Sequence, residues 1–288
     1  MSIQKLACVL FLSLNFGVPQ LQPPLAADIL FYESFDYTTG DPLNGLNGGT
    51  GFKSAWSGDS QFEISELDFS YQDSQGNVAD IRGKTVAGQG GIRTTVRELN
   101  VFDGGPSEIW GSIALTGRDG SAAGFANFSI EEKIFIGQGY KDTQGTHWAL
   151  SDDSGSLADS GVEATGDAFL ITKMTCDSDD KLDKIWVWLN PDIESMPDVS
   201  SSFTGASGID VTGTGAICSK ISFGLGDEST GISHILFGTS FEDVNALSSA
   251  VPEPGTAFLT PLVLGLLYAC RRRKKGPATD PVLQNDRC

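Results

Sequence analysis

Residues 184–192, KIWVWLNPD, predict the fold more directly than any other stretch of this chain. Successive side chains of an extended strand point to opposite faces, so Trp186 and Trp188 share one face and the aliphatic residues around them share the other. Both faces are apolar, which indicates a central strand of a sheet. One face must pack on the core, while the other is covered by a loop or lines the concave surface of the sheet.

Other strand-like stretches recur along residues 28–250. Their apolar periods are near two or continuous, and no long period of 3.6 is present. Turn-forming clusters rich in Gly, Asn and Asp separate them, as at residues 47–49, 103–105 and 152–155, and the chain has 35 glycines. This pattern predicts an all-β, antiparallel two-sheet sandwich without crossover helices. Examples of the predicted strands are Ile29–Tyr37, Gln61–Ile64, Gly91–Leu99, Glu108–Leu115, Phe125–Ile136, Ala168–Met174, Ile185–Leu189, Ile221–Leu225 and Ser233–Phe237.

Several of these segments resemble those of concanavalin A-like (LamG-like) jelly rolls. FYESFDY, LNGGTGF and the nearby Ala55-Trp56 resemble the opening of that group, KIWVWLNPD a later strand, and ILFGTSFEDV the closing strand; they lie at residues 31–37, 46–52, 55–56, 184–192 and 235–244. The resemblance implies a jelly-roll β-sandwich over residues 28–247. It also implies glycan binding as a function of the domain.

The charge of the body is strongly acidic. Residues 28–250 contain 34 acidic and 12 basic residues, a net charge of −22, while the whole chain carries −18. Such a surface repels phosphate backbones, so we exclude DNA and RNA as partners. It favours solubility and is compatible with divalent cations.

The N-terminus has the pattern of a secretory signal. Lys5 precedes the short apolar run Leu6–Leu14, and small residues at Leu25-Ala26-Ala27 provide a cleavage site. We therefore predict a signal peptide over residues 1–27. The run is too short for a comfortable membrane span.

The C-terminus has three parts in order. Val251-Pro252-Glu253-Pro254 precedes an apolar segment of about 16 residues, 255–270, and the basic block Arg271, Arg272, Arg273, Lys274, Lys275 follows. The prolines keep the backbone extended, and the basic block should stay on the cytoplasmic side of a membrane. The segment predicts a hydrophobic helix that tethers the chain to the inner membrane.

This arrangement resembles the PEP-CTERM sorting signal, here over residues 248–275. The resemblance implies sorting by an exosortase in a Gram-negative bacterium that makes extracellular polysaccharide. It places the protein in the inner membrane during sorting and then on the cell surface or in the extracellular matrix. A tail of 13 residues, 276–288, extends beyond the point where such signals usually end.

The tryptophans are candidates for sugar contact. Aromatic rings on a concave sheet can stack on the apolar C–H face of a sugar, and Trp186 and Trp188, with Trp148, could form such a platform. Packing in a hydrophobic core is the alternative.

Metal ligation is a second candidate chemistry. Asp177, Asp179, Asp180 and Asp183 are close together before a strand, and oxygen-rich loops of this kind can hold Ca²⁺. The spacing is not that of an EF-hand. A solvated acidic turn is the alternative.

Two cysteines belong to the body of the chain. Cys176 and Cys218 could form a disulfide in an exported domain, which would stabilise the fold by about 4 kcal/mol on the chain-entropy model. The sequence leaves their separation in space open.

Catalytic motifs are weak. Glycosidases of this shape use two carboxylates across a cleft, and the nearest pattern is Glu63, Glu66 and Asp68, of which only the last two would share a strand face. No nucleophile elbow, zinc pattern or phosphate loop is present in the sequence. We therefore expect no enzymatic activity. A glycoside-active enzyme with an unrecognised site stays the alternative to a glycan-binding, structural or adhesive surface protein.

Overall fold

The computed structural model describes residues 28–59, 61–66, 69–79, 81, 83–89, 93–100, 107–117, 125–138, 147–177, 181–226 and 229–245. The predicted signal peptide at 1–27, the sorting signal at 248–275 and the tail at 276–288 lie outside these residues. No helix within the described ranges is long and apolar enough to cross a membrane.

The described residues are nearly all in β-strands and turns. The strands are β1 (Ile29–Glu33), β2 (Ser57–Gly58), β3 (Glu63–Ser65), β4 (Thr85–Ala87), β5 (Arg93–Glu98), β6 (Glu108–Thr116), β7 (Ala126–Ile130), β8 (Ile134–Gln138), β9 (His147–Asp152), β10 (Gly155–Glu163), β11 (Asp167–Cys176), β12 (Leu182–Leu189), β13 (Ile209–Asp210), β14 (Lys220–Leu225) and β15 (Gly231–Gly238). Two short 3-10 helices, at Val199–Ser201 and Thr212–Thr214, and the helix α1 (Phe241–Val244) complete the described elements.

These strands form two antiparallel sheets. The eight-stranded sheet has the order β13-β12-β11-β6-β15-β4-β3, with β1 also paired to β15. The seven-stranded sheet has the order β10-β9-β8-β7-β14-β5-β2. The chain crosses between the two sheets several times, as in a jelly roll, so the predicted all-β two-sheet fold is confirmed.

The main core lies between the two sheets. Alternate residues of the central strands fill it, with Ile185 and Val187 of β12 on one side and Phe128 of β7 and Phe223 of β14 on the other, all fully buried. A buried aliphatic or aromatic side chain contributes about 1.5–3 kcal/mol through the hydrophobic effect. Strand β12 thus places its aliphatic face in the core, as the alternation predicts.

The outer face of the eight-stranded sheet carries a second apolar layer. Trp188 belongs to this layer together with Trp110, Phe169 and other buried residues. The segment at 69–79 reaches over this face to the segment at 191–193: the Tyr71 hydroxyl donates to the Pro191 carbonyl at 2.7 Å, and an Asp73 carboxylate oxygen accepts from the Ile193 amide at 3.1 Å. Of the two alternatives for this face, coverage by loops is therefore the one observed over much of the sheet.

The first and last strands of the domain are neighbours. Strand β1 pairs antiparallel with β15, and the amide of Asp28 donates to a carboxylate oxygen of Asp243 at 3.2 Å. Asp243 also forms a capping box with Ser240 at the start of α1. The start of β1 therefore lies beside the end of β15, so the two ends of the described domain are close together.

Two predicted strands differ from those observed. Residues 125–136 were expected to form one strand but form β7 and β8, joined by a turn in which Glu131 and Glu132 both have φ near 55°. The first predicted strand, Ile29–Tyr37, ends at Glu33, because the chain turns at Phe35, whose φ is 54°. The turn at 131–133 contains no Gly, Asn, Asp, Ser or Pro, so the usual sequence signals are missing there, whereas Ser34 and Asp36 flank the turn at Phe35.

Candidate functional site

The opening segment of the domain builds a buried ion-pair cluster. Glu33 of β1 and Arg97 of β5 join the two sheets through a contact of 2.5 Å, and each side chain is 1% exposed. The same Glu33 carboxylate accepts from the Trp56 indole at 3.1 Å and from the Tyr37 hydroxyl at 3.0 Å. The Arg97 guanidinium lies 3.8 Å from the centre of the Phe52 ring. The residues that resemble the jelly-roll opening thus meet at one buried carboxylate.

Burial shapes the electrostatics of this cluster. Burial and the negative charge of Glu33 together raise the pKa of the Tyr37 hydroxyl to about 12. Burial lowers the pKa of the Arg97 guanidinium, although the Glu33 carboxylate opposes that change. A second Arg97 nitrogen donates to the Asn47 side chain and to the Gly48 carbonyl, at 2.7 Å each. Every member is engaged inside the protein, so this cluster holds the fold and leaves no group for a ligand.

A second group of the same residue types lies at the outer face of the eight-stranded sheet. Trp110 of β6, Lys173 of β11 and Trp186 of β12 are direct cross-strand partners and form one row across three strands. Glu108, two residues before Trp110, lies on the same face. We call Glu108, Trp110, Lys173 and Trp186 the indole patch.

An ion pair holds the indole patch together. The Lys173 ammonium lies 2.9 Å from a Glu108 carboxylate oxygen, and the Trp110 indole donates to the other oxygen at 2.9 Å. The same ammonium lies 5.3 Å from the centre of the Trp110 ring and 5.8 Å from that of Trp186. Although partial burial opposes ionisation, the hydrogen bonds from Lys173 and Trp110 lower the pKa of the Glu108 carboxyl. The patch therefore presents a charged carboxylate and a charged amine beside the partly buried Trp186 ring, while the Trp110 ring is buried at 3% exposure.

The patch is open to solvent in part. The side chains of Glu108 and Lys173 are 43% and 22% exposed, and Trp186 is partly buried. Behind it, Trp110 stacks on Trp188 with ring centres 5.7 Å apart and an interplanar angle of 9°. The stack holds the Trp110 ring in place beside the other two residues of the row, Lys173 and Trp186.

A glycine allows a loop to approach Trp186. Gly208 has φ of +66°, and a Cβ at this position would lie 2.5 Å from Cε2 of the Trp186 indole. The buried Trp186 N–H has no hydrogen-bond partner. The backbone around Gly208 thus covers one edge of the indole and sets its position.

The three predicted platform tryptophans separate in the structure. Trp148 lies in the core between the sheets and is 2% exposed, so it is remote from the outer face that carries the other two. Trp188 is also 2% exposed, and its indole donates to the Asp198 carbonyl at 2.9 Å. Trp186 alone of the three is partly exposed at the patch. The expected three-tryptophan platform is corrected accordingly, because a ring covered by protein on both sides cannot stack on a sugar.

The predicted calcium ligands are only partly described. Asp179 and Asp180 lie outside the described residues, while Asp177 is exposed and accepts the Lys181 amide at 3.1 Å. Asp183 is half-buried, and its carbonyl accepts the Val211 amide. Within the described ranges, no group of three or more His, Cys, Asp or Glu residues is arranged for a metal ion. The calcium site stays a prediction.

The other candidate residues lie at separate places in the chain. The sulfurs of Cys176 and Cys218 lie 3.5 Å apart. Glu63 and Glu66 line a cleft of about 370 Å³ at the edge of the eight-stranded sheet, and Asp68 lies outside the described residues. His147 contacts Asp159 at 3.1 Å on the surface. The four residues of the sorting motif and the five of the basic block, 251–254 and 271–275, also lie outside the described residues.

Three members of the indole patch were missed by the sequence analysis. Glu108 and Trp110 lie within a predicted strand, and their spacing of two already places them on one face. Lys173 lies near the end of another predicted strand. The pairing of β6 with β11 brings Trp110 beside Lys173, 63 positions further along the chain, and no local pattern encodes it.

Comparisons with known proteins give structural neighbours only. No family model matches the chain, and no curated protein matches it. The Emp46p carbohydrate recognition domain, in a metal-free form, has a TM-score of 0.36 and 8% identity, covering 63% of this chain and 89% of that one. The VIP36 exoplasmic/lumenal domain, in a Ca²⁺/Man-bound form, has a TM-score of 0.31 and 8% identity, covering 70% of this chain and 89% of that one. An endo-1,3-beta-glucanase from Streptomyces sioyaensis has a TM-score of 0.33 and 12% identity, covering 75% of this chain and 97% of that one.

Proposed function

We propose that this jelly roll is the carbohydrate-binding domain of an exported cell-surface or biofilm-matrix protein and that a sugar binds at the indole patch. The observation that carries the proposal is the partly exposed Trp186, held in a row with Trp110 and Lys173 beside the charged Glu108 carboxylate.

The patch combines the two features that sugar recognition needs. An indole offers a flat apolar surface for the C–H face of a sugar ring. Glu108 can accept hydrogen bonds from sugar hydroxyls, and Lys173 can donate to ring or hydroxyl oxygens. Because the two charged groups neutralise each other at 2.9 Å, the patch suits a neutral or weakly charged glycan such as an extracellular polysaccharide.

The same geometry favours binding over hydrolysis. Glycosidases usually need two carboxyl groups about 5–10 Å apart, one of which exchanges a proton. In the indole patch Glu108 faces an ammonium group instead, and the lowered pKa of its carboxyl favours the ionised form over the protonated form that a general acid needs. A glycoside-active enzyme is thus the alternative that the experiment has to exclude.

The test is retention of the full-length protein, kept soluble with mild detergent, on a polysaccharide array. The Trp186→Ala variant should lose at least about tenfold in affinity, since an aromatic anchor is worth 2 kcal/mol or more in a binding site. Met196→Ala is the matched control, because it removes another exposed apolar side chain, one that is 62% exposed. Circular dichroism and the urea midpoint must show that both variants fold.

Four outcomes distinguish the proposal from its alternatives. Retention by the wild type and Met196→Ala, with loss in Trp186→Ala, supports the proposal. Release of reducing sugar from a retained polysaccharide would establish the enzyme alternative, and a blank array would leave a purely structural or adhesive protein. Equal retention by both variants would remove the indole patch as the binding site.

The cellular part of the proposal rests on the sequence of the two ends. The signal peptide directs export, an exosortase recognises residues 251–254, and the C-terminal hydrophobic segment tethers the chain to the inner membrane before processing. Replacing Pro252, Glu253 and Pro254 by Ala should leave the protein in the inner-membrane fraction of an exosortase-bearing host. Pro281→Ala in the tail is the control and should reach the surface normally. Recovery of the motif variant at the surface would contradict exosortase sorting.

A further inference from the structure

We propose that Cys176 and Cys218 form a disulfide that joins the two sheets of the sandwich after export. Cys176 is the last residue of β11 in the eight-stranded sheet, and Cys218 lies two residues before β14 in the seven-stranded sheet. Their sulfurs lie 3.5 Å apart although 42 positions separate them in the chain. A bond here would be a covalent link between the layers.

Backbone hydrogen bonds hold both cysteines in place. The Cys176 amide donates to the Ser107 carbonyl at 3.0 Å. Next to Cys218, the Ser219 amide donates to the Glu131 carboxylate at 2.7 Å, and the Ser219 carbonyl accepts from Leu99 at 2.8 Å. Because the backbones are fixed, the sulfurs need to approach by only about 1.5 Å to reach bonding distance, which side-chain rotation can supply.

The two thiols differ in access, and this difference assigns their roles. Cys218 is 3% exposed and lines a small apolar void with Leu99, Ile109 and Met174. Cys176 is partly exposed at the end of its strand. An oxidant therefore reaches Cys176 first, and Cys218 acts as the resolving thiol.

The chemistry is thiol–disulfide exchange with a small-molecule or protein disulfide as the oxidant. The Cys176 thiolate attacks one sulfur of that disulfide, forms a mixed disulfide and releases one thiol. The Cys218 thiolate then attacks the Cys176 sulfur and releases the second thiol. The protein loses two protons and two electrons, and the oxidant is reduced to two thiols.

The bond would matter after export, because secreted compartments favour disulfides. The exchange itself can be tested in solution and does not depend on glycan binding or sorting, so its failure is distinguishable from failure of the proposed function. The intervening segment contains β12, which carries Trp186. The link would therefore close a loop around the strand that presents the indole patch.

The experiment uses the full-length chain with Cys8, Cys270 and Cys288 replaced by Ser, treated with oxidised glutathione. After quenching and unfolding, the sample is alkylated with N-ethylmaleimide and its intact mass is measured. We expect no maleimide adduct before reduction and two adducts after reduction, and a peptide map should contain one cross-linked pair. Two adducts before reduction, or a glutathione adduct that persists, would overturn the proposal.

Two single variants test the assigned order. The Cys218→Ser variant should retain glutathione on Cys176, because the resolving thiol is missing. The folded Cys176→Ser variant should stay largely unmodified, because Cys218 is buried. The reverse pattern would refute the roles. As a measurement independent of these variants, the urea midpoint of the oxidised protein should exceed that of the reduced protein. Equal midpoints would show that the bond does not stabilise the sandwich.

Discussion

The buried ion-pair cluster and the indole patch combine the same three kinds of side chain, a tryptophan, a glutamate and a cation, in two settings. In each, a tryptophan indole donates to a glutamate, and a cation pairs with that glutamate and lies over aromatic rings: Trp56, Glu33 and Arg97 in one, Trp110, Glu108 and Lys173 in the other. Their exposure differs sharply, with both charged side chains 1% exposed in the first and 43% and 22% exposed in the second.

This difference decides what each group can do. Two charges removed from water must satisfy each other completely, so the Glu33–Arg97 pair is fixed and breaking it is costly. A partly exposed pair keeps contact with water, contributes about 0–1 kcal/mol and can exchange its partners. The same chemistry thus holds the sheets together in one place and leaves the other place free for a ligand.

Removing the buried cation should have the largest effect on stability. Arg97→Met should lower the free energy of unfolding by about 3–5 kcal/mol, because Glu33 is left charged and unpaired in the core. Urea unfolding followed by tryptophan fluorescence measures the change. The double variant Glu33→Gln/Arg97→Met should recover part of the loss. A decrease below about 1 kcal/mol in Arg97→Met would show that water reaches Glu33.

A buried group without any charge partner gives the next largest effect. Burial lowers the pKa of His234 from 6.5 to about 4; its Nε2 lies 3.0 Å from the Ser112 hydroxyl, and its Nδ1 is buried without a partner. The folded state thus resists protonation that the unfolded state accepts. Stability should be complete above pH 6.5 and fall by up to about 3 kcal/mol as the pH drops from 6.5 to 4.

The pH profile of His234→Gln should lack this decline, and the difference between the two proteins isolates it from the carboxylates that titrate in acid. His147→Gln is the matched control, since that histidine is on the surface. If wild type and His234→Gln declined in parallel over this range, the burial of a neutral His234 would be refuted.

Substitutions at two glycines test whether the loop around Gly208 sets the position of Trp186. Gly208→Ala and Gly205→Ala both force a left-handed conformation on alanine, with φ of +66° and +85°, at about 1–2 kcal/mol each. A Cβ at 205 meets nothing within 4 Å, whereas one at 208 lies 2.5 Å from Trp186. Only Gly208→Ala should therefore lose additional stability and shift the Trp186 fluorescence. Equal behaviour would mean that the loop yields without moving the indole.

The smallest effect on stability belongs to the patch cation. Lys173→Met should change the free energy of unfolding by less than about 1 kcal/mol, in contrast to Arg97→Met, while reducing polysaccharide retention. Lys220→Met is the control, because it breaks another exposed pair, with Glu132 at 2.7 Å, away from the patch. A loss of several kcal/mol from Lys173→Met would erase the distinction between the two ion pairs.

Local patterns predicted much of the fold. The alternation in residues 184–192 places the aliphatic residues of β12 in the core and its tryptophans on the outer face, as observed. The turn between β7 and β8 was missed because Glu131 and Glu132 adopt positive φ without a glycine. Strand β10 was missed because much of it is polar and exposed, so that no apolar face marks it.

The candidate site was less predictable than the fold. Trp186 was a candidate from its aromatic character, but burial separates it from Trp188 and Trp148, and burial depends on which loops cover a sheet. Glu108 and Lys173 meet only through the pairing of β6 with β11, which is a long-range choice of register. Register is fixed by the whole apolar pattern of a sheet, so no single segment reveals it.

The pairing of β1 with β15 has a mechanical consequence. Because the first and last strands lie side by side, a pull on both ends of the domain acts on two strands that are hydrogen-bonded to each other. A pull on the C-terminal end alone is received by β15, which is bonded to β6 on one side and to β1 and β4 on the other. If the protein is tethered through its C-terminus as proposed, tension enters the domain through a strand in the middle of a sheet, where hydrogen bonds on both sides share the load.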